Sequence, residues 1–185
     1  MRGGHKKRKM QAPTHILTGA IITEAFKPMK NRKLAFVLVA VFAFLSHGLL
    51  DKFAKMTYHR PDADFNDPVW VGYHLGVLIA TILFIKWWWR DYKWGIIFAM
   101  LPDLDWVFIH GQKLIGVDIW WYKTAHIHSV VHAVFDNLWP FYYLHNLPDY
   151  RYEPITAVGE IILLVVLYYF GLRYLQRRNV LKKAI

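Results

Sequence analysis

The sequence predicts an all-α protein, a polytopic helical bundle embedded in a membrane, and three observations carry this prediction. The chain is 56% hydrophobic and yet has a formal net charge of +10. Its lysines and arginines flank the apolar runs, as in "KWWWRDYKW" (Lys86–Trp94), whose aromatic rings are typical of a membrane interface. Strand alternation, heptads and tandem repeats are not apparent in the pattern.

The 185 residues are expected to form one membrane-embedded domain, 1–185. Residues 1–12 are predicted to be a flexible basic tail attracted to anionic lipid. This tail lacks the apolar core and cleavage site of a secretory signal. The remaining basic residues form no stripe with exposed aromatic side chains, so the expected partner is the lipid bilayer and no nucleic acid.

Apolar runs place the helices along the chain. A span needs about 20 residues, and by that measure the third of four candidate segments is the weakest. These segments are Leu34–Leu50, Gly72–Trp89, Trp94–Ile109 and Ile155–Leu175. Shorter helices are predicted at Thr14–Phe26 and from His126 to about Trp139, where Pro140 stops the helix. We therefore expect about four spans and one or two short or re-entrant helices.

This topology would bring titratable residues together. If the four segments cross in order, most lysines and arginines lie on one side, which the positive-inside rule makes cytoplasmic. The opposite side then receives the ends of the first and third spans, the start of the second, and the helix that begins at His126. His15 joins them only if the Thr14–Phe26 helix crosses or dips into the membrane.

Two H-x-x-x-D pairs lie in apolar helices, His47–Asp51 in "SHGLLD" and His132–Asp136 in "VHAVFD". A spacing of four puts both side chains on one face, about one turn apart, where a single metal could bind an imidazole nitrogen and a carboxylate oxygen. His128 extends the second stripe, and His126 could join it from the preceding turn. The alternatives are an Asp that orients a ligating His, or a capping Asp beside a hydrogen-bonded core His.

The segment "LPDLD" places Asp103 and Asp105 in an apolar run, where Pro102 disrupts helical hydrogen bonding. Buried carboxylates are costly unless they are paired with cations or metal. Asp-x-Asp spacing suits neighbouring metals, which are common in phosphoester hydrolysis. The alternative is a pair of surface carboxylates facing headgroups.

Two further titratable residues lie in predicted spans. His74 is either a metal ligand or a residue at the membrane interface. Glu160 needs a partner, for which Arg151 and Lys123 are candidates.

The blocks "THILTG" (Thr14–Gly19), "SHGLLD", "LPDLD" and "HS" at Ser129 resemble the bacterial inner-membrane-associated, metal-dependent hydrolases. The resemblance implies these metal ligands: His15, His47, Asp51, Asp103, Asp105 and His128. The repeated H-x-x-x-D is also similar to zinc-dependent phospholipase C and related nucleases. Two features depart from the family pattern: "SHGLLD" precedes "LPDLD", and Lys123 stands where the family has a histidine. His132–Asp136 is the candidate replacement.

The leading hypothesis is an integral protein of the bacterial inner membrane that hydrolyses a phosphoester, such as a lipid phosphate, with metal-activated water. The chain has no Cys, so His and carboxylate must hold the metal; zinc is expected, with manganese or iron as alternatives. The candidate ligands are His15, His47, Asp51, His74, Asp103, Asp105, His126, His128, His132 and Asp136. Asp105 and Asp136 are the candidates for orienting or deprotonating the water.

Two other functions fit parts of the pattern. A non-catalytic helical subunit of a larger membrane complex would keep the fold and use metal structurally, if at all. A haem- or macrocycle-binding membrane protein would need one or two axial histidines on facing helices. The Asp residues beside these histidines count against haem.

Overall fold

The computed structural model describes residues 10–58, 65–117, 119 and 125–184, and all regular elements among them are helical. The α-helices are α1 (Ala12–Phe26), α2 (Arg32–Phe53), α3 (Pro68–Met100), α4 (Leu104–Leu114), α5 (His126–Asn137), α6 (Thr156–Val166) and α7 (Tyr174–Ala184). Single 3₁₀ segments occupy Ala54–Met56, Leu101–Asp103 and Phe141–Asn146, and a π-helical segment, Leu167–Arg173, joins α6 to α7. The predicted all-α class is confirmed.

Polar caps and prolines fix the starts of the long helices. The side chain of Asn31 accepts a hydrogen bond of 3.0 Å from the main-chain amide of Leu34 at the start of α2. Asp67 caps α3 by accepting from the amides of Val69 and Trp70, and Pro68 occupies the first turn. These capping bonds satisfy amide groups that have no partner within the helix.

Among the described residues, three helical segments are long and apolar enough to cross a membrane: Arg32–Met56, Pro68–Gln112 and Thr156–Leu181. Membrane-span-like helices are thus confirmed by length and composition, whereas the predicted number of four spans is not. The difference comes from the second and third predicted segments, Gly72–Trp89 and Trp94–Ile109. These lie on one continuous helical segment rather than on two.

The predicted separation between those segments is wrong for a physical reason. It was placed at the charged stretch Lys86–Lys93, but charged and aromatic side chains are compatible with α-helical hydrogen bonding. The helix changes to 3₁₀ geometry only at Leu101–Asp103, where Pro102 cannot donate a main-chain hydrogen bond. The proline therefore sets the real end of α3.

The packed centre of the fold lies where α1 crosses α3. A Cβ atom added to Gly19 would lie 2.4 Å from the carbonyl oxygen of Gly95, so only glycine permits this approach. Ile16, Leu17 and Ala20 of α1 pack there with Tyr92 and Ile96 of α3 and with Leu172. The N-terminal helix is therefore a core element of the bundle.

Residues just before α1 are also buried. Met10 and Gln11 are 4% and 8% exposed, and α1 begins two residues earlier than the predicted Thr14. Residues 1–9 of the predicted flexible tail lie outside the described residues. Its last three residues, 10–12, belong to the packed fold.

The first half of α3 presents an apolar surface. Leu75, Leu78 and Ile82 are each more than half exposed. A continuous exposed apolar face is unfavourable in water and favourable against lipid. This surface agrees with the membrane-span assignment for that helix.

Candidate metal centre

Asp51, in the last turn of α2, lies at the centre of a cluster of histidines. Its carboxylate is fully buried. Oδ2 lies 3.0 Å from His128 Nε2, 3.1 Å from His132 Nε2 and 3.5 Å from His47 Nε2. Oδ1 lies 3.4 Å from His15 Nε2 and accepts a 2.6 Å hydrogen bond from the main-chain amide of Met10. This carboxylate thus contacts residues of two other helices, α1 and α5, as well as His47 on its own helix.

His47 is oriented by the main chain of α3. Its Nδ1 lies 2.8 Å from the carbonyl oxygen of Ala99, an acceptor that requires the proton to be on Nδ1. The lone pair of Nε2 is then directed toward Asp51 and toward Asp103 Oδ1, 3.8 Å away. Such fixing of the tautomer by a carbonyl is a regular feature of histidines that bind metal.

His15 reaches the cluster because of the close crossing of α1 and α3. It is completely buried and stacks on His47 with ring centroids 4.0 Å apart. Burial and the neighbouring His47 lower the pKa of His15, although Asp51 and Asp103 act in the opposite direction. The ring is therefore neutral near pH 7, the state in which a nitrogen lone pair can bind a metal.

The helix α5 supplies His128 and His132, one turn apart, with their rings stacked at 4.6 Å. The main-chain amide of His128 donates a 2.8 Å hydrogen bond to Asp105 Oδ2, which ties the start of α5 to α4. Burial lowers the pKa of His132 despite its contact with Asp51, so this ring also favours the neutral state. The predicted stripe on α5 therefore faces Asp51 through its first two members.

Two overlapping groups among the described residues could hold a metal ion: His15 with His47 and Asp103, and His47 with Asp51 and His128. In each group the candidate ligand atoms lie within 4.8 Å of one another. Ligands about 2.1 Å from a tetrahedral ion are about 3.4 Å apart. The contacts of 3.0–3.8 Å around Asp51 and His47 match that spacing.

The chemistry of the donor atoms also fits a cation. Both ring nitrogens of His15 and His128, and Nε2 of His47, are buried and make no hydrogen bond of acceptable geometry. Buried polar atoms without partners are rare in folded proteins because their desolvation is not compensated. A metal ion would satisfy one nitrogen on each of these three rings.

The cluster has one partly open side. The side chains of Asp103 and His132 are 22% and 21% exposed, whereas those of His15, His47 and Asp51 are 0% exposed. A small molecule or water could therefore approach from the side of Asp103 and His132. The remaining ligands are enclosed by protein.

Four of the predicted site residues lie elsewhere or have another contact. Asp136 forms an ion pair with Lys52. His74 stacks on Trp70 at 4.0 Å and contacts its carbonyl oxygen, far along α3 from Ala99. His126 is exposed at the start of α5, and Asp105, although buried, binds the His128 amide. None of these four belongs to either group that could hold a metal.

Two polar contacts beside the cluster were not predicted from the sequence, that of Lys52 with Asp136 and that of Thr14 with Glu160. Lys52, next to Asp51 in sequence, is 2% exposed and pairs with Asp136. Glu160 accepts hydrogen bonds from Thr14, the neighbour of His15, and from the hydroxyl of Tyr73. The predicted partner Arg151 binds Asp149 instead, and Lys123 lies outside the described residues. The lysine directly after "SHGLLD" was the available signal for the contact of Lys52 with Asp136, whereas the sequence around Thr14 did not indicate Glu160 as its partner.

Comparisons of this chain with known protein families, with curated proteins and with solved structures give no match.

Proposed function

We propose that this chain is a membrane-bound, metal-dependent hydrolase of a phosphoester, such as a lipid phosphate. The observation that carries the proposal is the burial of Asp51 among four imidazole nitrogens at 3.0–3.5 Å. A buried carboxylate surrounded by imidazoles offers mixed nitrogen and oxygen donors, a set that suits zinc, although manganese and iron use it as well. The resemblance of "THILTG", "SHGLLD" and "LPDLD" to inner-membrane hydrolases supports the same reaction class.

His15, His47, Asp51, Asp103 and His128 would hold the metal, and His47 would contribute only Nε2 because its Nδ1 proton is donated to the Ala99 carbonyl. A metal bound there would polarise a phosphoryl oxygen and make water nucleophilic near neutral pH. Asp103 would orient the attacking water, since it is the carboxylate at the open side. Asp105 and Asp136 have structural contacts and are no longer our first candidates for that role.

The arrangement favours metal ions over haem. His15 and His47 stack at 4.0 Å, and the other two imidazoles point at the same carboxylate. Axial histidines of a haem must instead lie on opposite faces of a flat macrocycle. The convergence on Asp51 therefore argues for a small cation.

A second function, a purely structural metal in a non-catalytic membrane subunit, is favoured by one observation. Most candidate ligands are fully enclosed, and closed coordination is typical of structural sites. The partial exposure of Asp103 and His132 supports the catalytic proposal against it.

Metal analysis and phosphate release test the proposal together. We expect at least one zinc, manganese or iron ion per purified chain, and loss of affinity by more than about 100-fold in Asp51→Asn, since even outer-shell changes cost 10- to 100-fold. Asp136→Asn is the matched control and should retain metal. Asp103→Asn should retain metal better than Asp51→Asn while losing phosphate release from phosphatidate in micelles. A metal-loaded wild type that releases no phosphate from phosphatidate or p-nitrophenyl phosphate would support the structural role instead.

A further inference from the structure

A second polar site lies away from the metal centre, between α1, α3 and the end of the last helix. Its pocket has a volume of about 690 Å³ and is lined by Glu24, Lys27, Tyr92, Arg173, Gln176 and Arg177, among others. Glu24 is nine residues after His15 on α1, which corresponds to about 14 Å along the helix axis. The pocket is thus distinct from the cluster around Asp51.

The wall of this pocket is held in place by hydrogen bonds centred on Glu24. Its carboxylate accepts from Lys27 Nζ at 2.6 Å, from the Tyr92 hydroxyl at 2.8 Å and from Asn179 Nδ2 at 2.8 Å. Gln176 in turn donates to the Tyr92 oxygen at 2.8 Å. Because several donors converge on Glu24, its negative charge is compensated within the wall.

The balance of charge in the pocket is positive. Lys27, Arg173 and Arg177 line it against the single carboxylate of Glu24. Arg173 and Arg177 are four residues apart on a helical segment, so they share one face at the pocket mouth, and both are exposed. Lys27 also lies 4.1 Å from the centre of the Tyr92 ring, which keeps its ammonium group at the wall.

The position of the pocket corresponds to the headgroup region of a membrane. The candidate span Thr156–Leu181 ends at the pocket, and Val180 and Leu181, both more than 60% exposed, complete its lining. The tryptophans of Lys86–Trp94 immediately adjoin Tyr92 in α3, and such aromatic belts lie at the membrane interface. An anion bound at this depth would therefore contact the guanidinium groups of Arg173 and Arg177.

We propose that this pocket binds the phosphate of an anionic phospholipid headgroup, with Arg173 and Arg177 as its principal contacts. Guanidinium groups bind phosphate oxygens through paired hydrogen bonds. Basic pockets between membrane helices are suited to anionic headgroups. The apolar span that precedes Arg173 and the aromatic residues beside Tyr92 favour a lipid over free phosphate, because they place the pocket where lipid headgroups lie.

Native mass spectrometry of the full chain in detergent tests this proposal. Phosphatidylglycerol should bind the wild type more tightly than phosphatidylcholine does. Arg173→Gln and Arg177→Gln should each weaken phosphatidylglycerol binding about fivefold, as expected for one cation near a lipid phosphate. Arg178→Gln removes the same charge beside the pocket without lining it and should change binding less than twofold.

Three outcomes would overturn the proposal. Equal weakening in Arg178→Gln and Arg177→Gln would mean that binding reflects diffuse charge alone. Equal affinity of the wild type for phosphatidylcholine would show that no anion is recognised. Displacement of phosphatidylglycerol by an equal concentration of inorganic phosphate would assign the pocket to a free anion. The comparison with phosphatidylcholine and the displacement by inorganic phosphate use the wild type alone, so they do not depend on the folding of a variant. Unchanged metal content in the arginine variants would show that this site is separate from the proposed hydrolase centre.

Discussion

The main-chain amide of His128 and the carboxylate of Asp105 are joined by a 2.8 Å hydrogen bond that closes the gap between α4 and α5. Asp105 is 2% exposed, so the bond forms in a poorly solvated environment. The first amides of a helix have no intrahelical partner, and a carboxylate there also complements the helix dipole. Asp105 therefore holds in place the helix that presents His128 and His132 to Asp51.

This relationship predicts different effects for two substitutions of Asp105. Asp105→Ala should destabilise the fold by about 1.5–3 kcal/mol, the usual loss for a hydrogen bond to a charged group, and should lower metal affinity by displacing α5. Asp105→Asn keeps an oxygen acceptor and should retain most of both properties. Thermal unfolding in detergent and metal analysis measure the two effects. If Asp105 were instead a metal ligand, Asp105→Asn would lose metal as severely as Asp105→Ala.

The ion pair of Lys52 and Asp136 should be structural. Asp136→Ala leaves the buried ammonium group of Lys52 without this partner, and we expect a loss of about 1–3 kcal/mol of stability. Lys52→Met should offset part of that loss in the double variant, because it removes the buried ammonium group that has lost Asp136. A double-mutant cycle by denaturant unfolding measures this coupling. Additive single effects would contradict the assigned pairing.

The crossing of α1 and α3 should tolerate no side chain at Gly19. Gly19→Ala would place a Cβ atom 2.4 Å from the Gly95 carbonyl oxygen and is expected to cost about 3 kcal/mol or more. Gly76→Ala on α3 is the matched control, because its Cβ would meet no atom within 4 Å. The control should be neutral or stabilising by up to about 1 kcal/mol, since alanine favours the helix. Similar unfolding midpoints for the two variants would show that the helices do not cross there.

Glu24 should make stability depend on pH in the acid range. Burial raises the pKa of Glu24, but the hydrogen bonds from Lys27, Asn179 and Tyr92 outweigh it, and the net effect is a lowered pKa. A carboxyl group with a lowered pKa stabilises the fold above its unfolded value of about 4.3. This contribution is lost as the pH falls through the folded pKa.

We therefore expect Glu24→Gln to be less stable than wild type by about 1–3 kcal/mol at pH 7, with a gap that shrinks toward pH 3. Thermal unfolding of both proteins at several pH values measures this difference in stability directly. The contributions of other groups that titrate in acid are common to both proteins and cancel in the difference. A gap that stays constant or widens on acidification would refute the role assigned to Glu24.

Local periodicity predicted much of this architecture but not its long-range contacts. The predicted segments Leu34–Leu50 and His126 to about Trp139 agree with α2 and α5 to within three residues at each end. The one-turn spacing of His47 and Asp51 places both side chains in the cluster. Asp136 shares the stripe of His128 by angle, but eight residues separate them by about 12 Å along the axis. The spacing of residues along α5 could not show that Lys52, on α2, forms an ion pair with Asp136.

The position of His15 also could not follow from the sequence of α1. Its approach to His47 depends on the contact of Gly19 with Gly95, two glycines that lie 76 residues apart in the chain. Likewise, no helix end separates the two predicted apolar segments Gly72–Trp89 and Trp94–Ile109, because charged side chains between them do not interrupt helical hydrogen bonding. Only Pro102, which removes a main-chain donor, ends α3.

The distribution of the Asp51 cluster along the chain has a consequence for biosynthesis. Its members come from α1, α2, the turn after α3 and α5, so the first and last of them are 117 residues apart in order of synthesis. A ribosome that has completed α2 has made His15, His47 and Asp51 but neither Asp103 nor His128. The complete cluster would therefore be available to an ion only after α2 and α3 have been synthesised, so metal binding could not guide the formation of these two helices.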